Sequence, residues 1–420
     1  MMHGLDDVDD RSSRRGGIGL CLSGGGFRAS LFHLGAVRRL HELGILQNVN
    51  WVSAVSGGSI LAACLMQCQK EYGVGGKLQF SDWQAEVSDK FRAIASRDLR
   101  TWPVILNFLW NWLYPNSLLR CLENRYRKRV TNAHLRELPE SPIYIFCATD
   151  LSFGVNWEFT REHVGSYQAG YLAVDSDKED AKRMTVAKAI AASACFPPLF
   201  GPMRLGIKPN ALTGGNYRAR NRDSIVAKLA LSDGGVYDNM GVEPVWKKAA
   251  TVLVSDCGAP FQFESGKEPW RMLLRYPSVI GRQADSVRLR LLYRDYSTSS
   301  GPPVYSGCRW NLTAGRSAKS PAWGQGYSDE LVQNVISRIR TDLDNFSDAE
   351  MSVLENHGYL NADFQIRTWC PQLLATSPLD PAKSLNVPYP QLMKEDLVRK
   401  ALRDSSRRLV WGRLRTGLFG

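Results

Sequence analysis

The chain predicts an α/β fold built on a largely parallel sheet, with a mainly helical C-terminal extension. Two observations carry that expectation. Short apolar runs alternate with segments of helical period through the N-terminal half, and most of those runs end in turn-forming residues. A third observation bounds the size: 420 residues with 44% hydrophobic and 22% charged side chains can bury a large core and have the profile of an ordinary globular chain.

In order, GIGLCLS (17–23) reads as the first strand. Residues 29–43 read as a helix, with Leu31, Leu34, Ala36, Val37 and Leu40 forming its apolar face and Gly44 its stop. VNWVSAVS (49–56) is the second strand and SILAACLMQC (59–68) a buried helix. IYIFCATDL (143–151), KLALSDGG (228–235) and ATVLVSDCG (250–258) are further strands, and TVAKAIAASACF (185–196) is an Ala-rich helix stopped by Pro197 and Pro198. Residues 296–326, rich in Ser, Gly and Pro, read as a long connection, and helical periodicity returns over 328–360. A Pro-rich linker (371–390) leads to a tail, 394–415, with eight Lys/Arg against three Asp/Glu.

The formal charge of +12 favours an anionic partner: a membrane surface, a nucleic acid or a nucleotide. No motif supports sequence-specific nucleic-acid binding. The nine cysteines are scattered without zinc-site spacing, and Cys64 and Cys68 read as helix packing, so reduced thiols in a cytosol fit best. The N-terminal residues 1–15 carry both signs of charge and read as a frayed arm, not a signal peptide. The aromatic segment TWPVILNFLWNWLYP (101–115) is too short to span a bilayer; it reads as a lid, an interfacial anchor or a core helix beside a basic face.

Gly24, Gly25 and Gly26 pose the functional question, because three consecutive glycines are costly to order. A P-loop would need a Lys-Ser or Lys-Thr after them, and there is none. A dinucleotide site would need an acidic residue at the end of the next strand, which ends instead in AVSGGS. That strand end presents Ser56 with Ala54 two residues before and Gly58 two after, close to the GxSxG turn of a nucleophile elbow, with alanine in place of the first glycine. The two strand ends are then complementary. Free N–H groups at a helix N-terminus favour negative charge, and acyl transfer from a serine creates an oxyanion. Arg28 supplies either positive charge there or a salt-bridge anchor for the loop.

The serine needs a base. None of the six histidines (His3, His33, His41, His134, His163, His357) sits in a recognisable loop constellation. Asp233, in LSDGGVYDNMG at the end of an apolar strand, is the strongest acidic candidate, since a desolvated carboxylate can accept a serine proton directly. Taken alone, the same residues also read as an ordinary Asp-Gly-Gly turn.

These blocks together resemble the patatin-like phospholipase family, which is related to the catalytic domain of cytosolic phospholipase A2. GGGFR (24–28) is similar to its glycine-rich oxyanion loop, SAVSGGS (53–59) to its elbow, and CATDLSFG (147–154) to an internal strand-end block. AIAASACFPPLFGP (189–202) resembles its site-lining segment and DGG (233–235) the block of its aspartate. The likeness runs over roughly residues 16–260 and thins beyond, where only a general likeness to bacterial members with a helical extension is left. It implies an α/β/α sandwich over 16–295, with residues 296–420 packed on it as an extension. It also implies a phospholipase A type of lipid acyl hydrolase, acting peripherally at membranes from the cytoplasm on phospholipid, with neither metal nor cofactor. Its site would be a dyad of Ser56 and Asp233, with Gly24, Gly25, Gly26 and Gly57 holding the oxyanion and Arg28 in support. In matching blocks, Asp150 and Ser193 are expected to be structural.

Three rival readings remain. One is an α/β-hydrolase triad of Ser56, Asp233 and His357, with His357 just past a helix. Another is a phospholipase effector of bacterial anti-phage defence gated by a cyclic nucleotide, its anion held by Arg218, Arg220, Arg222, Arg338, Arg340 or the basic tail. The third is a catalytically silent nucleotide or membrane sensor.

Overall fold

The computed structural model describes residues 15–99, 117–197, 200–258, 269–296, 306–317, 320, 324–374 and 385–403. The 101–115 segment and the end of the basic tail lie outside the described residues, as does nearly all of the N-terminal arm.

One sheet organises the chain. Its strands are β1 (Gly16–Leu22), β2 (Val49–Val55), β3 (Ile143–Asp150), β4 (Val155–Phe159), β5 (His163–Ser166), β6 (Gly170–Ala173), β7 (Leu231–Asp233), β8 (Ala249–Asp256) and β9 (Ser306–Asn311). They lie in the order β6-β5-β4-β3-β2-β1-β8-β9, with β7 paired to β3. From β3 to β9 the main ladder is parallel. β4, β5 and β6 form an antiparallel meander on its flank, and β7 also runs antiparallel to β3. The expected parallel sheet is therefore the core of a mixed one.

The central strands read as near-continuous apolar runs because both faces are covered. Leu20 and Leu22 of β1 face one core, with Val52 and Ala54 of β2, while Cys21 and Val55 face the other. On the first face lie α1 (Gly26–Glu42), α2 (Gly57–Tyr72), α3 (Ser117–Arg129) and α4 (Val186–Ser193). α5 (Gly235–Asp238) follows β7, and α6 (Pro269–Tyr296) contributes Leu292 to the second face. α7 (Asp348–Trp369) packs along α1, where a Cβ on Gly35 or Gly358 would run into the opposing backbone. The result is the expected three layers.

The extension is no separate appendage. Within the stretch expected to be a long connection, SGCRWN forms β9, parallel to β8 through Thr251↔Ser306 to Asp256↔Asn311. The Ala-rich helix also ends earlier than expected, at Ser193, because the carbonyls of Ser193 and Cys195 accept the amides of Gly234 and Asp233 (3.2 and 3.3 Å).

Candidate active site

Register alone assembles the site. Leu22 pairs with Ala54, Val55 with Cys147 and Ala148 with Asp233, so residues 24, 56 and 233 come level at the C-terminal edge of the sheet. Ligand crevices of open α/β sheets lie at that edge. Ser56 caps α2 with φ 49° and ψ −114°, and it is the one non-glycine with positive φ among the described residues. Such a conformation costs about 1–3 kcal/mol and persists only where the surroundings enforce it. The enforcement is visible: the Ser56 amide donates to Ser193 Oγ at 2.8 Å, and Ser59 Oγ lies 2.8 Å from the same oxygen. A Cβ on Gly58 would collide with the Leu22 carbonyl, so the turn has no room for a larger residue there.

Asp233 is held as firmly. Its carbonyl accepts Thr149 Oγ1 at 2.7 Å, and its Oδ1 accepts the Gly235 amide at 2.7 Å. Burial pushes its carboxyl up to about 7, against the opposing hydrogen bonds of the Gly235 amide and the Ser56 side chain. A carboxylate beside a serine hydroxyl, with an affinity for protons near neutrality, has the properties a general base needs. Ser193 ties the two halves together, since its hydroxyl holds Ser56 and its carbonyl holds Gly234.

The glycine loop divides its labour. The Gly24 amide donates to Asn239 O at 3.1 Å, which corrects its expected place among the oxyanion donors. Gly24 serves close approach instead: a Cβ there would stand 2.5 Å from Asn239 Oδ1 and 3.3 Å from Ser56 Cβ. The first intrahelical bond of α1 runs from Ala29 N to Gly25 O, which leaves the amides of Gly25 and Gly26 ahead of it. Phe27 N is taken by Asp342 O at 2.8 Å. In α2 the first such bond runs from Ser59 N to Ser56 O at 2.9 Å, so Gly57 likewise precedes it. A Cβ on Gly57 would strike Gly26 O, which places the two helix N-termini in backbone contact. Ser30 Oγ fastens them, 2.6 Å from Gly57 O and 3.1 Å from Gly26 O.

Beneath the loop runs a buried hydrogen-bond chain with one consistent direction. Trp310 Nε1 donates to Ser255 Oγ at 2.8 Å, Ser255 Oγ lies 2.6 Å from His33 Nδ1, and His33 Nε2 lies 3.0 Å from Ser23 O. With Nε2 protonated, His33 donates to Ser23 O while Nδ1 accepts the Ser255 proton. Burial lowers His33 to about 4, so the ring is neutral at pH 7. Arg28 is an anchor, but for carbonyls and not through the expected salt bridge: its guanidinium reaches Ile339 O at 3.0 Å and Ser337 O and Cys257 O at 3.4 Å.

Asp150 accepts the amides of Ser152 and Phe153 at a turn, a structural role. His357 lies inside α7, not past a helix; it is fully buried, with Nε2 2.7 Å from Leu312 O and its ring against Phe32. It is thereby committed to the α1–α7 layer. Two of the arginines considered for an anion are engaged within the protein. Arg222 donates to Ala169 O, Arg340 pairs with Glu350 and donates to Asn345 O, and Arg218, Arg220 and Arg338 are exposed. Cys64 and Cys68 are free and buried in α2.

Residues 20–246 match the family model described as patatin-like phospholipase. The chain belongs to that family. Its fold is the patatin-like one. Among solved structures it is similar to human GIVD cytosolic phospholipase A2 in complex with methyl gamma-linolenyl fluorophosphonate, at 13% identity and a TM-score of 0.48, covering 87% of this chain and 60% of that one. The same human enzyme in another structure gives 13% identity and a TM-score of 0.47, over 95% of this chain and 64% of that one. VipD from Legionella pneumophila gives 13% identity and a TM-score of 0.31, over 87% and 67%. The chain thus spans less than two thirds of the length of the human enzyme it resembles. No curated protein sequence matches it. Among the described residues no helix is long and apolar enough to cross a membrane.

Several supports of this site escaped sequence reasoning: Ser30, Asn239, Thr149 and the chain from His33 to Trp310. Sequence signals existed for two of them, Asn239 in the NMG that follows DGGVYD and Thr149 inside CATDLSFG.

Proposed function

We propose that this member of the family is a serine acyl hydrolase of phospholipase A type, working peripherally at a membrane surface. The observation that carries the reading is the strained Ser56 set beside the buried Asp233, at the junction of two helix N-termini. Asp233 takes the hydroxyl proton as Ser56 Oγ attacks the acyl carbonyl carbon. The carbonyl oxygen, now an anion, receives the amides of Gly25, Gly26 and Gly57, and the two helix dipoles favour it there. Collapse of this tetrahedral adduct breaks the ester bond, and the proton on Asp233 passes to the departing lysolipid alkoxide. Water then gives its proton to Asp233 and attacks the acyl-enzyme; Ser56 recovers the proton and the fatty acid leaves.

The test is fatty-acid release from mixed phospholipid vesicles by wild type, Ser56→Ala, Asp233→Asn and His357→Ala, each with its fold checked. Activity lost in the first two variants and kept per folded molecule in the third is the expected pattern. Loss in His357→Ala as well would restore the triad. Release that persists in Ser56→Ala would remove the nucleophile from the scheme.

A further inference from the structure

α6 carries its side chains in an order that a surface helix of a self-contained protein does not. The solvent side of such a helix is normally charged and polar. Here Tyr276, Val279, Ile280 and Val287 are exposed at 63%, 41%, 68% and 48%. Tyr276, Ile280 and Val287 follow one another at four and seven residues, which sets them on one stripe. Arg290 and Arg294 are exposed along the same side of the helix. Both carboxylates of α6 are withdrawn: Asp295 is buried against Trp246 Nε1 (3.2 Å), and Asp285 is only partly exposed. The outward face is thus apolar and cationic, with no acidic group on it among the described side chains.

The location matters as much as the composition. α6 packs on α5, the short helix that starts two residues after Asp233, and the Arg288 guanidinium lies 4.6 Å over the Tyr237 ring. Val236, three residues past Asp233, is itself exposed at 45%. An exposed apolar side chain thus also stands on the helix that directly follows the strand of Asp233.

We propose that α6 is the docking face that seats this protein on an anionic lipid bilayer, lying in the interface with Ile280 and Val287 among the acyl chains and Tyr276 at the headgroup level. Arg290 and Arg294 meet the phosphate headgroups. Apolar insertion combined with cationic contact is what interfacial helices use, and a tyrosine suits the headgroup level. The proposal rests on the lipid-hydrolase reading for its purpose, but its test does not need hydrolysis.

The experiment is sedimentation of the full chain with two kinds of vesicle, phosphatidylcholine alone and phosphatidylcholine with phosphatidylglycerol. Ile280→Ser/Val287→Ser and Arg290→Glu/Arg294→Glu are compared with wild type. Circular dichroism and thermal melting check each fold, and gel filtration reads the oligomeric state. Wild type should bind the anionic vesicles preferentially, and the charge-reversal pair should weaken that binding by at least about tenfold. The serine pair should weaken binding to both kinds of vesicle, while hydrolysis of a soluble short-chain ester stays within about twofold of wild type. Folded variants that bind anionic vesicles as wild type does would overturn the proposal. So would variants whose only change is a shift from dimer to monomer, which would make the face a contact between copies. Vesicle binding lost on cue, with no ester cleaved by any form, would uphold the docking face and defeat the hydrolase reading instead.

Discussion

Asp233→Asn should make the protein more stable while it destroys activity, and the gain should grow with pH. The Asp233 carboxyl is fully buried and raised from an ordinary value of 3.8 to about 7. Below about pH 4 both native and unfolded chains hold this proton, and the group costs nothing. Between about pH 4 and pH 7 the unfolded chain releases the proton while the native state keeps it, so native stability falls by about 1.4 kcal/mol per pH unit. Above about pH 7 both states are ionised and the loss levels off, on the order of 4 kcal/mol for a shift of this size. Asparagine keeps the Oδ1 that accepts the Gly235 amide and carries no charge to desolvate. Urea unfolding at pH 5 and pH 8 should therefore show an advantage of Asn over Asp of about 1–2 kcal/mol at the lower pH and about 4 kcal/mol, as a ceiling, at the higher. In parallel, wild-type kcat/KM should rise with pH and reach half its maximum near pH 7, since only the ionised carboxylate accepts the serine proton. A variant no more stable than wild type at pH 8, or an advantage that does not grow from pH 5 to pH 8, would refute the claim that a desolvated carboxylate is stored in this site.

Three further outcomes follow from the same geometry. Gly57→Ala drives a methyl into the Gly26 carbonyl, and the backbone must part; we expect a loss of about 1–3 kcal/mol in urea unfolding and at least a 100-fold loss of kcat as the oxyanion donors separate. Ser193→Ala strips the acceptor from the Ser56 amide, costing about 1–3 kcal/mol and lowering kcat with KM little changed, a split that steady-state assays on a soluble ester would read. His357→Ala opens a cavity between α1 and α7 and should destabilise by about 2–5 kcal/mol, yet activity per folded molecule should stay within about twofold, as burst titration would measure.

The parts of this fold legible in the sequence are those made by local chemistry. β1, β2, α1 and α2 announce themselves by apolar runs and helical period broken at glycines, and the elbow serine falls at the break. β4, β5 and β6 do not, because VNWEF, HVGS and GYLA are short, and only the flank of an existing sheet makes strands of them. SGCRWN was hidden by its glycine and arginine inside a Ser/Gly/Pro-rich stretch; its strand character comes from the ladder with β8. Within the site, Ser56 and Asp233 stood out as residue types at strand ends. Gly24 could not be told from its neighbours, since what removes its amide from the oxyanion set is a carbonyl 215 positions later in the chain. Arg28 likewise finds its partners 309 and 311 residues away, in the extension. The extension thus holds the loop as well as covering it, through Ser337, Ile339 and Asp342 on the loop side and Trp310 beneath.

The central claim is that Ser56 is a nucleophile activated by Asp233. Its most direct test is covalent capture with a long-chain alkyl fluorophosphonate, whose phosphorus takes the serine oxygen as fluoride leaves. After incubation at pH 8, peptide mass spectrometry should find one adduct, on Ser56, forming at least about 100-fold more slowly in Asp233→Asn. An adduct on another residue, or one that forms on Ser56 at the same rate without the Asp233 carboxylate, would contradict the account.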